Sequence, residues 1–339
     1  MLFKQIVYII IYVYWVLAYS YLIITPSILI SNEYLIKLVK KLAQSLATLT
    51  LINGFQTDFY LTKSESNIKQ LMNENPELID IIVCNHTSTF DFLIVLSYLQ
   101  KFNISSCNYV IKNTINYFPG FGLVMYANTD IKLSRNWEKD KDVLAKQIDN
   151  IKTNQHSTKQ VIIIFPEGTR LNKEKLVDGQ NFSRSNNIPV YDNLLVPKTK
   201  GLWFLINHLN KTNRLGRVWD ITLAIPKFLG SAAYVNDVLG KSIGPVYGII
   251  RELKLDFDYQ DLELFKTWLF KTWKMKDDFL KHYTKFVYNK IEWDDIKYKH
   301  LALVSLICLL FSLCLGNKYG RYYLLVSFVL AYILIIFKL

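Results

Sequence analysis

Four short runs, "LIDIIVC" (78–84), "CNYVIK" (107–112), "QVIIIF" (160–165) and "WDITLAI" (219–225), are apolar at nearly every position. A strand with one wet face alternates polar and apolar residues. One that is apolar throughout is covered on both faces, usually by helices packed above and below a largely parallel sheet. The intervening stretches supply those helices: 92–99, 137–152 and 201–208 have helical patterning, and a more amphipathic, Trp- and Lys-bearing tract follows at 261–288. This alternation predicts an α/β fold with a mixed, mostly buried sheet flanked by helices. No repeat and no Gly/Ser or Pro linker interrupts it, so residues 56–290 are expected to form one domain.

The flanks are of another kind. From Ile6 to Asn32 no residue is charged, and Ile6–Ile30 as a helix would span about 37 Å at about 1.5 Å per residue, enough to cross a bilayer core. A cleaved signal sequence fits less well, because no small-residue cleavage site follows. Residues 1–55 therefore read as a membrane segment with an interfacial helix. At the other end, 301–316 and 322–337 are apolar runs split by "NKYGR". Residues 291–339 thus read as a hydrophobic hairpin that crosses the membrane or dips into it.

Lysines give an orientation. Lys37, Lys40 and Lys41 follow the first apolar segment against Lys4 before it, and Lys290, Lys297 and Lys299 precede the last pair. The excess lies on the side of the central region and places that region in the cytosol. With 40 Lys and Arg against 28 Asp and Glu, the net charge is +12. A basic domain beside an anionic leaflet attracts lipid headgroups and phosphate-bearing substrates. Nucleic acid is a poorer partner, since no zinc spacing, RNA-binding signature or concentrated basic helix is present. Cys84, Cys107, Cys308 and Cys314 show no disulfide framework or metal spacing and suit a reducing compartment. Four triplets, at Asn85, Asn103, Asn181 and Asn210, match the N-glycosylation pattern; on a cytosolic domain all should stay bare.

The chemistry concentrates where the first apolar run ends, in "IDIIVCNHTSTFDF" (79–92). Ser88-Thr89-Phe90-Asp91 has the form of a capping box, with Asp91 at the third helical position. On a continuous helix His86 and Asp91 would lie about 140° apart. A His86 in the preceding turn can instead fold back onto Asp91, which would fix the imidazole tautomer and leave the other nitrogen as a base. His156, His208, His282 and His300 follow no buried strand, have no acid at a meaningful spacing, and read as structural or surface residues.

A second strand-end block is "FPEGTR" (165–170). Taken alone it fits a plain turn; beside the first it suggests a shared edge where a ligand binds outside strand ends. Gly168 allows close approach of backbone amides to an anion, Thr169 adds a hydroxyl, and Arg170 offers a fork for phosphate.

His86-x4-Asp91 followed by Phe165-Pro-Glu-Gly-Thr-Arg170 resembles the glycerolipid acyltransferase family, which includes the 1-acylglycerol-3-phosphate acyltransferases. "FPGFGLVMYANTDIKLSRNWEKD" (118–140) resembles its second block and "LLVPKTKG" (194–201) its fourth. The "NWEKD" and "LLVPKTKG" stretches look most like the lysocardiolipin and lysophosphatidylinositol acyltransferase branch. The resemblance implies that Arg135 contacts the substrate phosphate and that Glu167, Gly168 and Pro197 belong to the acceptor site. Lys132 stands where the family usually has an apolar residue, and can itself reach an anionic headgroup.

The resemblance further implies acyl transfer from acyl-CoA to a lysophospholipid hydroxyl at an endoplasmic reticulum membrane. His86 would be the base and Asp91 its orienting acid, while Arg135, Gly168, Thr169 and Arg170 would hold the phosphate. No metal or prosthetic group is expected; acyl-CoA is a co-substrate. The competing reading is a catalytically silent, membrane-anchored phospholipid-binding or scaffold protein, against which the retained His-Asp pair argues.

Overall fold

The structure, a computed structural model, describes residues 1–24, 33–62, 68–117, 122, 124–125, 129–134, 136–151, 153, 159–293 and 298–337. Among these, eight strands form one sheet: β1 (Phe59–Thr62), β2 (Ile79–Cys84), β3 (Ser106–Lys112), β4 (Ile131–Leu133), β5 (Gln160–Ile164), β6 (Leu215–Ala224), β7 (Val246–Leu253) and β8 (Tyr288–Lys290). Their order across the sheet is β4-β3-β5-β2-β6-β7-β1-β8. The β6–β7 and β1–β8 pairs are antiparallel, and the remaining pairs are parallel.

The predicted apolar runs are four adjacent strands of the sheet, β3-β5-β2-β6. In β2, Ile82 and Cys84 enter one core, while Ile79, Ile81 and Val83 enter the other. In β5, Val161 and Ile163 alternate in the same way with Ile162 and Ile164. A period of two with both phases apolar is what burial on both faces requires. One face is covered by α2 (Glu33–Leu49) and α3 (Asp91–Lys101). The other is covered by α4 (Trp137–Asp149), α6 (Thr199–Lys211) and α7 (Leu262–His282); α5 (Lys173–Ser185) precedes α6 and is mostly exposed.

The helix ends follow local chemistry. Asp91 opens α3, where a carboxylate favours the positive end of the helix dipole. Asn103, just beyond its end, takes φ 63°, a left-handed conformation that asparagine tolerates. Asp261 caps α7 by accepting the N–H groups of Glu263 (2.8 Å) and Leu264 (3.2 Å).

The N-terminal segment comprises two helices. Here α1 (Leu2–Tyr19) continues as a π-helical turn to Ile24, and α2 runs back antiparallel to it. The Tyr8 side chain meets Gly54 beyond the end of α2, while Trp15 and Tyr19 cluster with Leu42 and Leu46. Leu2–Leu22 is long and apolar enough to cross a membrane. Yet Gln5 is fully buried and donates to the carbonyls of Val238 (3.2 Å) and Lys241 (2.6 Å). It also accepts the Gly240 N–H at 2.6 Å. The start of α1 is therefore fastened to the sheet domain, not separated from it by the length of a span as the count around Lys4 assumes. Nor does the boundary at 55 divide two cores, because Ala47, Leu51 and Phe55 enter the core of the sheet domain. The C-terminal hairpin is helical: α8 (Tyr298–Gly316) and α9 (Lys318–Phe337) turn at Asn317. Ile307, Phe311 and Leu324 pack on α1, and the Tyr14 hydroxyl bonds Ser312 at 2.6 Å.

Candidate active site

Strands β5, β2 and β6 are neighbours and parallel, so their carboxyl ends share one edge. The loops leaving those ends meet there. Asn85, fully buried, fastens the β2 loop to β6: its amide donates to the Leu223 carbonyl at 3.0 Å and accepts the Leu223 N–H at 2.9 Å. The chain then leaves the sheet at His86.

His86 Nδ1 lies 2.7 Å from Asp91 Oδ2; the carboxylate is buried, and the ring is about one quarter exposed (25%). Asp91 is also saturated by its own turn, accepting from Thr87 Oγ1 (3.0 Å), Ser88 Oγ (2.6 Å) and the Ser88 N–H (2.9 Å). The expected capping box is only half present. Asp91 reaches back to the Ser88 amide, but the Ser88 hydroxyl donates to Asp91 and accepts from the Phe90 N–H, so Asp91 opens the helix instead of occupying its third position. Such a saturated carboxylate is immobile and gives the imidazole one orientation. With Nδ1–H donated to Asp91, the tautomer leaves the lone pair on Nε2. That nitrogen has no hydrogen-bond partner among the described residues, and the ring rests on Phe165, 4.8 Å between centroids.

The β5 loop supports this turn. Glu167 is almost fully buried, and both its oxygens accept backbone amides, from His86 (3.0 Å) and Leu195 (3.2 Å). Burial pushes its carboxyl up to about 7, against the opposing pull of those two hydrogen bonds. The resemblance places Glu167 among acceptor contacts; in the structure its carboxylate joins three loops. Gly168 has φ 67° and donates its N–H to the Phe165 carbonyl at 2.9 Å. The Arg170 guanidinium donates to Thr89 Oγ1 and stacks over the Tyr234 ring, 4.7 Å from its centroid. Thr169 accepts from Lys175 Nζ at 2.9 Å. Pro197 is buried in the stretch alongside, where the Lys198 N–H donates to the Pro166 carbonyl at 2.8 Å.

His86, Asp91, Glu167, Gly168, Thr169, Arg170 and Pro197 thus come to one edge. Arg135 and most of 118–128 lie outside the described residues, as does His156. Lys132 lies on β4, at the far edge of the sheet. His208 differs from its sequence reading in one respect: Nε2 meets Asp149 of α4 at 2.8 Å, an acid 59 positions away. That contact is on the surface, and His282 bonds the carbonyl of Asp278.

Two contributors were not identified from the sequence. The segment after β6 stitches the loops together: the Ala233 N–H donates to Thr87 O (3.0 Å), the Thr89 N–H to Ala233 O (2.9 Å), and the Ala232 N–H to Leu171 O (3.2 Å). Small apolar residues gave no signal of this. The second is a buried ion cluster behind the edge. Lys276 of α7 contacts Asp220 and donates to the carbonyls of Val83 (3.0 Å) and Ile221 (3.1 Å). Burial alone would raise the Asp220 carboxyl, but Lys276 and Arg251 hold it below the usual carboxylate range. A signal for it did exist, since an aspartate inside "WDITLAI" needs a partner once that run is buried.

Residues 66–208 match the family model described as Acyltransferase, a span that includes the His86 and Arg170 turns. Among named relatives, 1-acyl-sn-glycerol-3-phosphate acyltransferase 2 of Brassica napus is 31% identical over 148 residues, 43% of this chain and 37% of that one. Lysocardiolipin acyltransferase 1 of Mus musculus is 29% identical over 147 residues (43% and 39%). Lysophosphatidylinositol acyltransferase 10 of Caenorhabditis elegans is 30% identical over 149 residues (43% and 38%). The chain thus spans less than two fifths of the length of each of these relatives. The solved structure of the 1-acyl-sn-glycerophosphate acyltransferase PlsC from Thermotoga maritima aligns with a TM-score of 0.45 at 16% identity, covering 82% of this chain and 99% of that one.

Proposed function

We propose that this protein transfers an acyl group from acyl-CoA to the free hydroxyl of a lysophospholipid. The observation behind this reading is the His86–Asp91 contact, with Nε2 of the same ring left without a partner among the described residues. His86 removes the hydroxyl proton as the oxygen attacks the thioester carbonyl, and coenzyme A leaves as the thiolate. Asp91 holds the ring and stabilises the imidazolium while it exists. Arg170, Gly168 and Thr169, with Arg135 by family resemblance, hold the acceptor phosphate within reach of the base, and that positioning supplies much of the rate in a two-substrate reaction. The acceptor is of the lysophosphatidate, lysophosphatidylinositol or lysocardiolipin type, as the names of the relatives suggest. Exposed apolar residues of α1, α8 and α9, such as Phe3, Ile10, Leu309, Leu313 and Val326, suit a site that works at a lipid surface. An endoplasmic reticulum membrane with the sheet domain in the cytosol is the matching location, supported by Lys290, Lys297 and Lys299 before the C-terminal hairpin, against Lys318 and Arg321 within it.

The test is coenzyme A release by the purified full chain across a panel of lysophospholipids. His86→Ala should lower turnover by about a hundred- to ten-thousand-fold, the usual share of a lost base. Asp91→Asn should retain more activity than His86→Ala because the imidazole survives. Release of coenzyme A at wild-type rates by His86→Ala, with unfolding unchanged, would sink the mechanism.

A further inference from the structure

Three cations from three separate segments surround the Gly168-Thr169-Arg170 turn, and only one of them belongs to the turn itself. Lys175, in the first turn of α5, donates to Thr169 Oγ1 at 2.9 Å. Lys198, just before α6, lies across the open face of Gly168. A Cβ on that glycine would stand 3.2 Å from Lys198 Nζ and 3.3 Å from its Cδ and Cε. The Lys198 backbone is fixed to the same loop through Pro166. Arg170 is already held by Thr89 and Tyr234. Among the described residues none of the three has a carboxylate partner, although Glu174 and Asp178 lie on α5 beside Lys175. Elsewhere lysines do find acids: Lys281 takes both Asp192 and Asp277, and Lys159 takes Asp80.

Gathering like charges around one loop costs free energy that an anion recovers on binding. A single phosphomonoester beside the base is adequately served by a guanidinium fork and the turn amides. Two flexible ammonium groups outside that fork suit a further anion whose position is less strictly set, since lysine acts as a point charge on a long stem.

We propose that Lys175 and Lys198 form a second phosphate subsite next to Arg170, which binds a further phosphate group of a substrate, distinct from the one nearest the reacting hydroxyl. This rests on the acyl-transfer reading above. The group is a phosphate ester or diphosphate, and two sources have that chemistry: a second phosphate on the acceptor headgroup, or the diphosphate of coenzyme A.

The experiment compares the full chain with Lys175→Gln/Lys198→Gln in two arms, each against lysophosphatidate and acyl-pantetheine, which together offer a single phosphate. One arm replaces lysophosphatidate with a lysophosphatidylinositol phosphorylated on its ring. The other replaces acyl-pantetheine with acyl-CoA. The double variant should raise KM in one arm by about tenfold or more, the loss of one charge-assisted contact, while the single-phosphate pair changes less than about twofold. The arm that responds identifies the source, and Lys175→Arg/Lys198→Arg should restore most of it. An unchanged KM in both arms, or an equal rise for the single-phosphate pair, would overturn the subsite. Binding of pyrophosphate, followed by calorimetry on the same samples, separates this from the activity itself. If the wild type transfers no acyl group, the functional reading fails, yet pyrophosphate bound by the wild type and not by the double variant still supports the subsite. Equal pyrophosphate binding by both, or none by the wild type, overturns it.

Discussion

Lys276 holds an ammonium group away from solvent, between the ends of β2 and β6, where it joins Asp220 to three strand-end acceptors: Val83 O, Ile221 O and Thr222 Oγ1. Removing Lys276 leaves the buried Asp220 carboxylate with the partly exposed Arg251 as its remaining cation among the described residues, and Oδ1 loses its ammonium partner. Lys276→Met should therefore cost about 3 kcal/mol or more, whereas Asp220→Leu/Lys276→Met should recover part of that loss. Denaturant unfolding in detergent checks this, and a single variant less than about 1 kcal/mol below wild type would contradict it. Glu167 supplies a pH dependence. Its folded pKa of about 7 lies above the ordinary 4.5, so the folded state holds the proton more tightly than the unfolded one. Its contribution is complete below about 4.5 and is lost as pH rises to about 7, a change of about 3 kcal/mol. Stability differences between wild type and Glu167→Gln should shift against the wild type across that window and flatten above it. A difference independent of pH would show that the carboxyl titrates normally.

Among the elements, the segment from Gly230 to Lys241 has the widest reach for its length. Its backbone joins the His86 turn to Leu171, its Tyr234 ring underlies Arg170, and its far end receives Gln5 from α1. The guanidinium loses an aromatic face when Tyr234 becomes Leu, a contact worth about 0.5–1 kcal/mol or more. Tyr234→Leu should then raise KM for the lysolipid about three- to fivefold with little change in kcat, and Tyr234→Phe should restore it. A fall in kcat at constant KM would instead place Tyr234 in the chemistry. Elements were read unevenly from sequence for physical reasons. β2 and β5 are apolar at nearly every position because helices cover both faces, and β3 and β6 each hold an apolar run within a strand that also has polar residues. In β7, Gly248, Arg251 and Glu252 break that pattern: Gly248 leaves room for the Tyr98 ring, and Arg251 reaches Asp220. β1, β4 and β8 have only three or four residues each, too few to show a period.

For the whole molecule, sidedness is the property most open to a direct test. Asn103 and Asn181 are exposed within glycosylation triplets, so either would report a lumenal sheet domain. Protein from eukaryotic membranes should show no mobility change on glycosidase treatment. A change abolished by mutating Asn181 would reverse the proposed orientation. Asn85 is no reporter, because its amide is buried against Leu223.

The sequence by itself determined the α/β class and the two chemical blocks, because doubly covered strands must be apolar and a strand end is where polar groups can emerge. It also identified His86 and Asp91 as partners, since their contact lies within a six-residue turn that local geometry can close. Tertiary structure alone decided the rest. Glu167 became a brace only when β5 was laid beside β2, and Lys276 found Asp220 from 56 positions away. Gln5 marks the same limit at the other end of the chain. Its burial depends on a loop more than 230 positions distant, and a contact at that separation leaves no periodicity in the sequence from which it could be read.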